Sequence, residues 1–305
     1  MKKILYFLTC CALPLSAYDV YITSVAGPVL KYTVSGEYIT SDSPSISINP
    51  ENLWDNCDGI AISPDKTSYY IVSIANHAVY VVNILDNTLI TTIDTIFEPG
   101  AGLVGLAFSP DGNYYYVTDI ENRVVYIVST GTNTLTHTVN LPSIEPIAIA
   151  FSPDGTSYYV TDALTGIVLI LSTATNTLSQ TVNLENNGQY GIAFSQDGAS
   201  YYVTDYNTNV VSILSTATNT LSQTVSGIFR SLAALTGIAF TPNGNFYYVN
   251  DELTNVVYIV STATNTLIST ITLPPDFTPW GIATNSPEFP SHNFRAFSRS
   301  NFHSR

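Results

Sequence analysis

Residues 148–190 contain four short runs of hydrophobic, aromatic and β-branched residues, and each run ends in residues that favour turns. The runs are Ala148–Phe151, Ser157–Asp162, Ile167–Leu171 and Asn176–Val182. Val, Ile, Tyr and Thr are enriched in strands, whereas the Gly, Pro, Asn and Asp between such runs favour turns. The pattern therefore predicts a unit of four β-strands joined by three turns.

The same unit recurs along the chain at a nearly constant spacing. The second residue of its Ser-Pro-Asp-Gly turn, or of a variant of that turn, recurs at intervals of 43 to 46 residues, at Pro64, Pro110, Pro153, Gln196 and Pro242. Four strands in every ~40 to 45 residues is the period of a β-propeller blade. The strand chemistry of the runs excludes helical repeats.

Each end of the chain supplies part of one further unit. Residues 20–24, 29–32 and 37–40 form three strand-like runs without an innermost run before them, and residues 281–284 form an innermost run without the other three. Each kind of run then occurs six times. We predict an all-β, six-bladed β-propeller of four-stranded antiparallel blades over residues 18–285, closed by a composite blade from both ends. Closure would bury apolar faces that an open array leaves in water.

The two ends of the sequence differ from the repeats. Lys2 and Lys3 precede an apolar run that ends at the small residue Ala17, which is the pattern of a secretory signal peptide cleaved after Ala17. The alternative is a buried N-terminal strand. The run is shorter than the ~20 apolar residues of a transmembrane helix, so we expect no transmembrane segment and an exported protein, either periplasmic, at the cell surface or secreted. Residues 286–305 match no repeat, and we expect a mostly disordered tail.

The formal net charge is −14, and the acidic excess lies within the predicted propeller. Of the 23 acidic residues, 22 fall between positions 18 and 285, where the basic residues are Lys31, Lys66, Arg123 and Arg230. Nucleic acid is therefore not an expected partner, because its phosphates require a basic surface. Without the signal peptide, Cys57 is the remaining cysteine, so we expect no intramolecular disulfide and interpret Cys57 as a buried, unreactive thiol.

Most recurring residues of the unit have a structural explanation. The Ser-Pro-Asp-Gly segments fit type I turns, and the Ser-Thr-Ala-Thr-Asn-Thr-Leu segments fit loops with local side-chain hydrogen bonds. Five copies contain paired tyrosines, as at Tyr158 and Tyr159. Because neighbouring side chains of a strand point to opposite faces, we expect one ring to pack on the preceding blade and the other on the following blade.

Carboxylates recur at the end of the second strand of the unit. Four neighbouring copies have Asp119, Asp162, Asp205 and Asp251 there, and His77 lies in the corresponding loop of another copy. In one interpretation each Asp accepts hydrogen bonds from its own turn. In the other, the carboxylates form an acidic rim that binds a cation or a cationic surface. A single shared Ca²⁺ is disfavoured, because these loops lie a strand spacing of ~4.8 Å outside the innermost strands, whereas Ca²⁺ ligands lie within ~2.6 Å.

The loops that lead into the innermost strands vary most between copies and surround one mouth of the predicted central channel. Variable loops on a rigid frame are common locations of function. We select as ligand-binding candidates Trp54, Asp58, Glu145, Tyr190 and Trp280. The alternative is that the tryptophans fill the channel mouth as structural plugs.

Sequence motifs of familiar catalytic sites do not occur. There is no glycine-rich phosphate loop, no His-Glu-x-x-His and no Gly-x-Ser-x-Gly. Two of the four histidines, His292 and His303, lie in the tail. A histidine-based metal site or triad therefore has few candidate residues.

The Tyr-Tyr-Val-Thr-Asp segment at 158–162, with its preceding Ser-Pro-Asp-Gly and following Ser-Thr-Ala-Thr-Asn-Thr-Leu, resembles the YVTN family of β-propeller repeats in exported bacterial and archaeal proteins. The resemblance covers residues 18–285 and implies the propeller fold. It implies no single function, because related propellers serve as surface-layer, ligand-binding, cofactor-binding and lactonase-like proteins. Asp replaces the final Asn of the motif in four copies, and six blades differ from the seven common among relatives, so no site residue is transferred.

Two main classes of function follow. The first is an exported, non-enzymatic binding or interaction scaffold. We expect such a protein to be a monomer without a cofactor and to bind a protein or a small molecule at its ligand face. The second is a lactonase-like or other hydrolase that uses Asp58, Glu145 and the rim carboxylates, or a divalent cation such as Ca²⁺. Gluconolactonase-type propellers, which also have six blades, use a divalent cation. A surface adhesin is a third class.

Overall fold

A computed structural model describes residues 17–25, 28–41 and 57–285 together with the backbone of residues 46–48. These parts of the chain are all-β, with six four-stranded antiparallel sheets. Within the described ranges no helix has the length and hydrophobicity needed to cross a membrane. Residues 1–16 of the predicted signal peptide, the predicted tail and Trp54 lie outside the described residues.

Five blades consist of four consecutive strands, and the remaining blade combines the last strand with the first three. The strands are β1 Tyr18–Ser24, β2 Val29–Val34, β3 Ile46–Ile48, β4 Cys57–Ile62, β5 Ser68–Ser73, β6 Ala78–Asn83, β7 Leu89–Ile93, β8 Leu103–Phe108, β9 Tyr114–Asp119, β10 Val124–Ser129, β11 Leu135–Asn140, β12 Pro146–Phe151, β13 Ser157–Asp162, β14 Ile167–Ser172, β15 Leu178–Asn183, β16 Gln189–Phe194, β17 Ser200–Asp205, β18 Val210–Ser215, β19 Leu221–Val225, β20 Leu235–Phe240, β21 Phe246–Asp251, β22 Val256–Ser261, β23 Leu267–Thr272 and β24 Pro279–Thr284. Blade 1 consists of β24, β1, β2 and β3, and blades 2 to 6 consist of β4–β7, β8–β11, β12–β15, β16–β19 and β20–β23.

The first and last strands of the described chain meet in blade 1. β24 is antiparallel to β1, with Tyr21 opposite Ala283 and Ile22 opposite Ile282. Beyond the last pair, the backbone N–H of Asn285 donates to the carbonyl oxygen of Asp19 at 2.8 Å. The predicted six-bladed propeller, closed by a blade from both ends of the chain, is thus confirmed.

The outermost strand of blade 1 does not lie where the sequence pattern predicted it. The prediction was residues 37–40, whereas the strand that pairs with β2 is β3. Ile39 is instead 3% exposed and donates its N–H to the hydroxyl of Tyr248 in blade 6 at 3.1 Å. The ring of Tyr38 meets that of Phe246 edge-on, with 4.8 Å between centroids. The segment has strand-like composition because it covers a neighbouring blade, not because it joins a sheet.

Paired tyrosines of the second strands connect successive blades. The ring centroids of Tyr116 and Tyr158 lie 5.0 Å apart, as do those of Tyr159 and Tyr201. The first ring of a pair therefore faces the preceding blade and the second faces the following blade, as predicted. Each contact lies within a buried cluster between two blades, so burial of apolar area stabilises the ring at every interface.

The threonine of the Tyr-Val-Thr-Asp repeat also joins two blades. Thr118 Oγ1 accepts a hydrogen bond from the N–H of Gly105 in its own blade at 2.8 Å and donates to the carbonyl of Ile147 in the next blade at 2.6 Å. Thr204 makes the same two bonds in blade 5. Blade 2 has Val72 at this position, so it lacks the hydroxyl.

The innermost strands approach one another too closely for most side chains. A Cβ atom on Gly105 would lie 2.3 Å from the carbonyl oxygen of Ile147, and one on Gly191 would lie 2.4 Å from that of Thr236. The central channel is therefore narrow. One cavity in it has a volume of about 100 Å³ and is lined by the inner glycines, by Ala148 and by a ring of Ile60, Leu106, Ile149, Ile192, Ile238 and Ile282.

Candidate ligand-binding site at the channel mouth

Two sets of loops lie at the same end of the propeller. The N–H of Ile120, which follows a second strand, donates to the carbonyl of Gly102, which precedes an innermost strand, at 2.9 Å. Tyr206 donates to Gly188 in the same way at 2.8 Å. Since antiparallel strands alternate in direction, the Pro-Asp-Gly turns lie at the opposite end. The paired loops surround one opening of the channel, which we call the mouth.

The aspartates that end the second strands are buried beneath the rim. Asp119 is 0% exposed and accepts hydrogen bonds from the backbone N–H groups of Gly102, Glu121 and Asn122 at 2.9 to 3.0 Å. The hydroxyl of Tyr126 donates to its second oxygen at 3.0 Å. Asp119 therefore joins the loop that leads into its blade to the loop that follows its own strand.

The other three aspartates have the same role. Asp162 accepts from the hydroxyl of Ser143 and from the backbones of Ile144 and Thr165. Burial alone would raise the pKa of Asp162, but these hydrogen bonds outweigh burial and hold the pKa below its ordinary value. Asp205 and Asp251 are also buried and bonded to the backbones of the loops that follow them. Their oxygens are occupied by local donors, which is the first of the two interpretations drawn from the sequence.

His77, the other candidate on the rim, is exposed. Its Nδ1 donates to the carbonyl oxygen of Ala101 in the next blade at 2.5 Å. No group of three or more His, Cys, Asp or Glu side chains in the described parts of the chain is arranged to hold a metal ion. Cys57 is buried. Cation binding by the rim stays a prediction.

Two sets of equivalent positions, with one residue per blade, surround the mouth. The positions before the inner glycines hold Asp58, Val104, Ile147, Tyr190, Thr236 and Trp280, and those after the second strands hold Val25, Ile74, Ile120, Ala163, Tyr206 and Glu252. Around blades 3 and 4 these residues are aliphatic and pack together. The aromatic and acidic residues come from the other blades: Tyr190 and Tyr206 from blade 5, Glu252 from blade 6, Trp280 from blade 1 and Asp58 from blade 2. The mouth is thus apolar on one side and carries its chemically distinctive groups on the other.

Three aromatic rings form one wall of the mouth. Tyr190 stacks on Tyr206 with 4.7 Å between ring centroids and 25° between planes. Trp280 meets Tyr190 edge-on at 5.3 Å. Tyr190 belongs to blade 5 and Trp280 to blade 1, so this contact joins two blades that are not neighbours in the ring. Blade 6 lies between them. Beside it lies a cavity of about 60 Å³, whose other walls include Val104 and Ile147.

Two carboxylates of the mouth have buried oxygens without a hydrogen-bond partner among the described residues, namely Asp58 Oδ2 and Glu252 Oε2. Burial raises the pKa of Asp58 to about 8; a hydrogen bond from the backbone of Ile74 opposes this shift, and the charge of Glu252 adds to it. Burial also raises the pKa of Glu252, against a hydrogen bond from the hydroxyl of Tyr206. Both groups therefore lie where water does not fully solvate a charge.

The charges of two acidic residues affect the pKa of Tyr190. Burial is the largest cause of the raised pKa of the Tyr190 hydroxyl, and the charges of Glu145 and Glu252 raise this pKa further. Of the five predicted candidates, Asp58, Glu145, Tyr190 and Trp280 thus come together around the mouth, and Trp54 lies outside the described residues. The innermost strands begin two residues before their glycines. Asp58, Tyr190 and Trp280 are therefore the second residues of inner strands and do not lie in loops.

Sequence reasoning did not select Tyr206 and Glu252. Both directly follow a second-strand aspartate, where other blades have Ile120 and Ala163. A comparison of that single position across the repeats would have found them. The departure from a small or aliphatic residue is the signal.

The fold is that of a six-bladed β-propeller, a class consistent with an interaction scaffold. No protein-family model matches the sequence, and neither does any curated protein. Among solved structures, the chain is similar to Kuenenia stuttgartiensis hydrazine synthase at 18% identity, over 80% of this chain and 71% of that chain, with a TM-score of 0.59. It is also similar to a chain of a nidogen/laminin complex at 14% identity, over 88% and 98% of the two chains, with a TM-score of 0.74. At these identities the likeness establishes the fold alone.

Proposed function

We propose that the protein is an exported, non-enzymatic propeller that binds a ligand at the mouth of its central channel. One observation carries the proposal: Tyr206 and Glu252 occupy positions that packing alone fills with Ile120 and Ala163 in other blades. Buried polar atoms are usually hydrogen-bonded, and an unpartnered one requires an explanation. A bound ligand supplies that explanation for Glu252 Oε2 and Asp58 Oδ2.

Sequence features support the finer parts of the proposal. The Tyr-Tyr-Val-Thr-Asp repeats support a place among YVTN-type propellers, and the N-terminal pattern supports export to the periplasm, the cell surface or the medium. N-terminal sequencing of the protein from its native source should give Tyr18 as the first residue. Light scattering at a series of concentrations should give the mass of a monomer.

The binding function can be tested by affinity capture from native extract. The immobilised wild type is compared with Trp280→Ala, which removes one wall of the mouth, and with Tyr114→Ala, which removes a 39% exposed ring next to a Pro-Asp-Gly turn at the opposite end. We expect the same small molecule or protein on the wild type and on Tyr114→Ala, and its loss from Trp280→Ala. Equal retention by both variants would contradict a ligand site at the mouth.

The pKa of Asp58, raised by burial to about 8, favours a second candidate function, a lactonase-like hydrolase. A general acid must keep its proton near neutral pH, and burial is the usual way of achieving this. In this candidate Asp58 and Glu145, or a divalent cation such as Ca²⁺ held by them, would act on the substrate. A rise in melting temperature with millimolar Ca²⁺, and lactone hydrolysis that Asp58→Asn abolishes, would support the hydrolase. An unchanged melting temperature would reject its metal-dependent form.

A further inference from the structure

We infer that the mouth binds the protonated primary amine of an aliphatic ligand. The inference rests on the proposed binding function and names the chemical class of its ligand. Three properties of the mouth lead to it: an excess of negative charge, unpartnered hydrogen-bond acceptors, and a wall of aromatic rings next to an apolar cavity.

The first property is the uncompensated charge. Asp58, Glu145 and Glu252 all act on the same small region, as their effects on one another and on Tyr190 show. Within the described residues the one ion pair is Lys31 with Asp19, at 3.0 Å, on the strands of blade 1. The carboxylates of the mouth have no basic partner there. A ligand that brings a positive charge would stabilise them in their ionised form.

The second property identifies the kind of cation. Asp58 is 4% exposed, and its Oδ2 and Glu252 Oε2 are acceptors that lack donors in the described structure. A primary ammonium group has three N–H donors, which is enough for both oxygens. A quaternary ammonium has none and would leave both unsatisfied, which costs free energy in a buried site.

The third property identifies the rest of the ligand. The rings of Tyr190, Tyr206 and Trp280 lie together at the mouth. Contact between a cation and the face of such a ring is favourable when water is excluded. The adjoining cavity of about 60 Å³ is almost entirely apolar. Its walls are the inner glycines, Val104, Ile147, Ala148, Thr236, Tyr190 and Trp280. A cavity of this size takes the end of a narrow hydrocarbon chain rather than a ring.

Calorimetric titration with three simple ligands tests the inference. n-Butylammonium has a positive charge and N–H donors, and butyltrimethylammonium has the charge without the donors. 1-Butanol has the same hydrocarbon chain without a charge. Near neutral pH we expect n-butylammonium to bind about tenfold tighter than each of the others, because hydrogen bonds to charged groups contribute that much. Equal affinity for all three ligands, lost in Trp280→Ala, would retain the binding function and overturn the ammonium class.

Two variants test whether n-butylammonium binds at the mouth. Glu252→Gln keeps an acceptor for Tyr206 but removes the charge, and it should weaken n-butylammonium about tenfold. Glu121→Gln removes one exposed charge after the equivalent strand of blade 3 and should leave the affinity unchanged. Equal losses in both variants, or no binding of n-butylammonium to the wild type, would overturn the inference. The capture experiment decides separately whether the mouth binds any ligand.

Discussion

The hydroxyl oxygens of Tyr18 and Tyr248 lie 2.7 Å apart, although 230 positions separate the two residues in the sequence. Tyr18 belongs to β1 in blade 1 and Tyr248 to β21 in blade 6. The hydroxyl of Tyr18 donates to the carbonyl of Glu37 at 2.9 Å, so the hydroxyl of Tyr248 donates to Tyr18. It also accepts from the N–H of Ile39 at 3.1 Å. This chain of hydrogen bonds joins the composite blade to its neighbour within an apolar interface.

Replacement of Tyr248 by Phe should weaken this closure. The N–H of Ile39 would lose its acceptor and Tyr18 its donor, so we expect the free energy of unfolding to fall by about 1–3 kcal/mol, measured by urea denaturation. Tyr158→Phe is the matched control, because the buried hydroxyl of Tyr158 has no partner among the described residues. We expect no loss in that variant. Losses of similar size in both would show that the hydrogen bonds across the closure contribute nothing.

Replacement of Gly105 by Ala should disturb the centre of the propeller. The added Cβ would lie 2.3 Å from the carbonyl of Ile147, on an innermost strand that cannot move without displacing its neighbours. We expect a loss of about 1–3 kcal/mol, typical of overpacking. Gly131→Ala, where nothing lies within 4 Å of the added atom, should be neutral or slightly stabilising. A neutral Gly105→Ala would mean that the innermost strands are less closely packed than described.

The repeats predict the blades, their closure and the tyrosine contacts, because these depend only on period and on the alternation of side chains along a strand. Strand β3 was missed because Tyr38 and Ile39 have the composition of a strand while covering blade 6. The contact between Tyr190 and Trp280 was also beyond prediction, since it joins blades that are not neighbours. The repeat period predicts the structure that all units share, whereas a site depends on the positions at which one unit differs from the others.

Replacement of Asp119 by Ala should affect stability rather than ligand binding. Three backbone N–H groups and the hydroxyl of Tyr126 would lose their acceptor, and we expect a loss of about 3 kcal/mol by thermal or urea unfolding. Glu121→Ala, an exposed neighbour, should change stability by less than about 0.5 kcal/mol. A stable Asp119→Ala protein that no longer binds cations would instead favour the acidic-rim interpretation.

Asp58 should make stability depend on pH. Its folded pKa of about 8 exceeds the ~3.9 of an unfolded Asp, so the folded state binds the proton more tightly. The contribution to stability is then fully present below about pH 4 and is lost as the pH rises through about 8. We expect the free energy of unfolding of the wild type to fall over this interval relative to Asp58→Asn. The raised pKa of Glu252 adds a slope in both proteins. If the difference in the free energy of unfolding between the wild type and Asp58→Asn does not change with pH, the raised pKa of Asp58 is contradicted.

The hydrogen bond between Asn285 and Asp19 places the two ends of the described propeller side by side. The polypeptide joins and leaves the propeller body at adjacent points, both at the end remote from Trp280. An anchor, carrier domain or solid support coupled at either point would therefore sit behind the molecule. The mouth, where we propose that a ligand binds, would be directed away from the attachment.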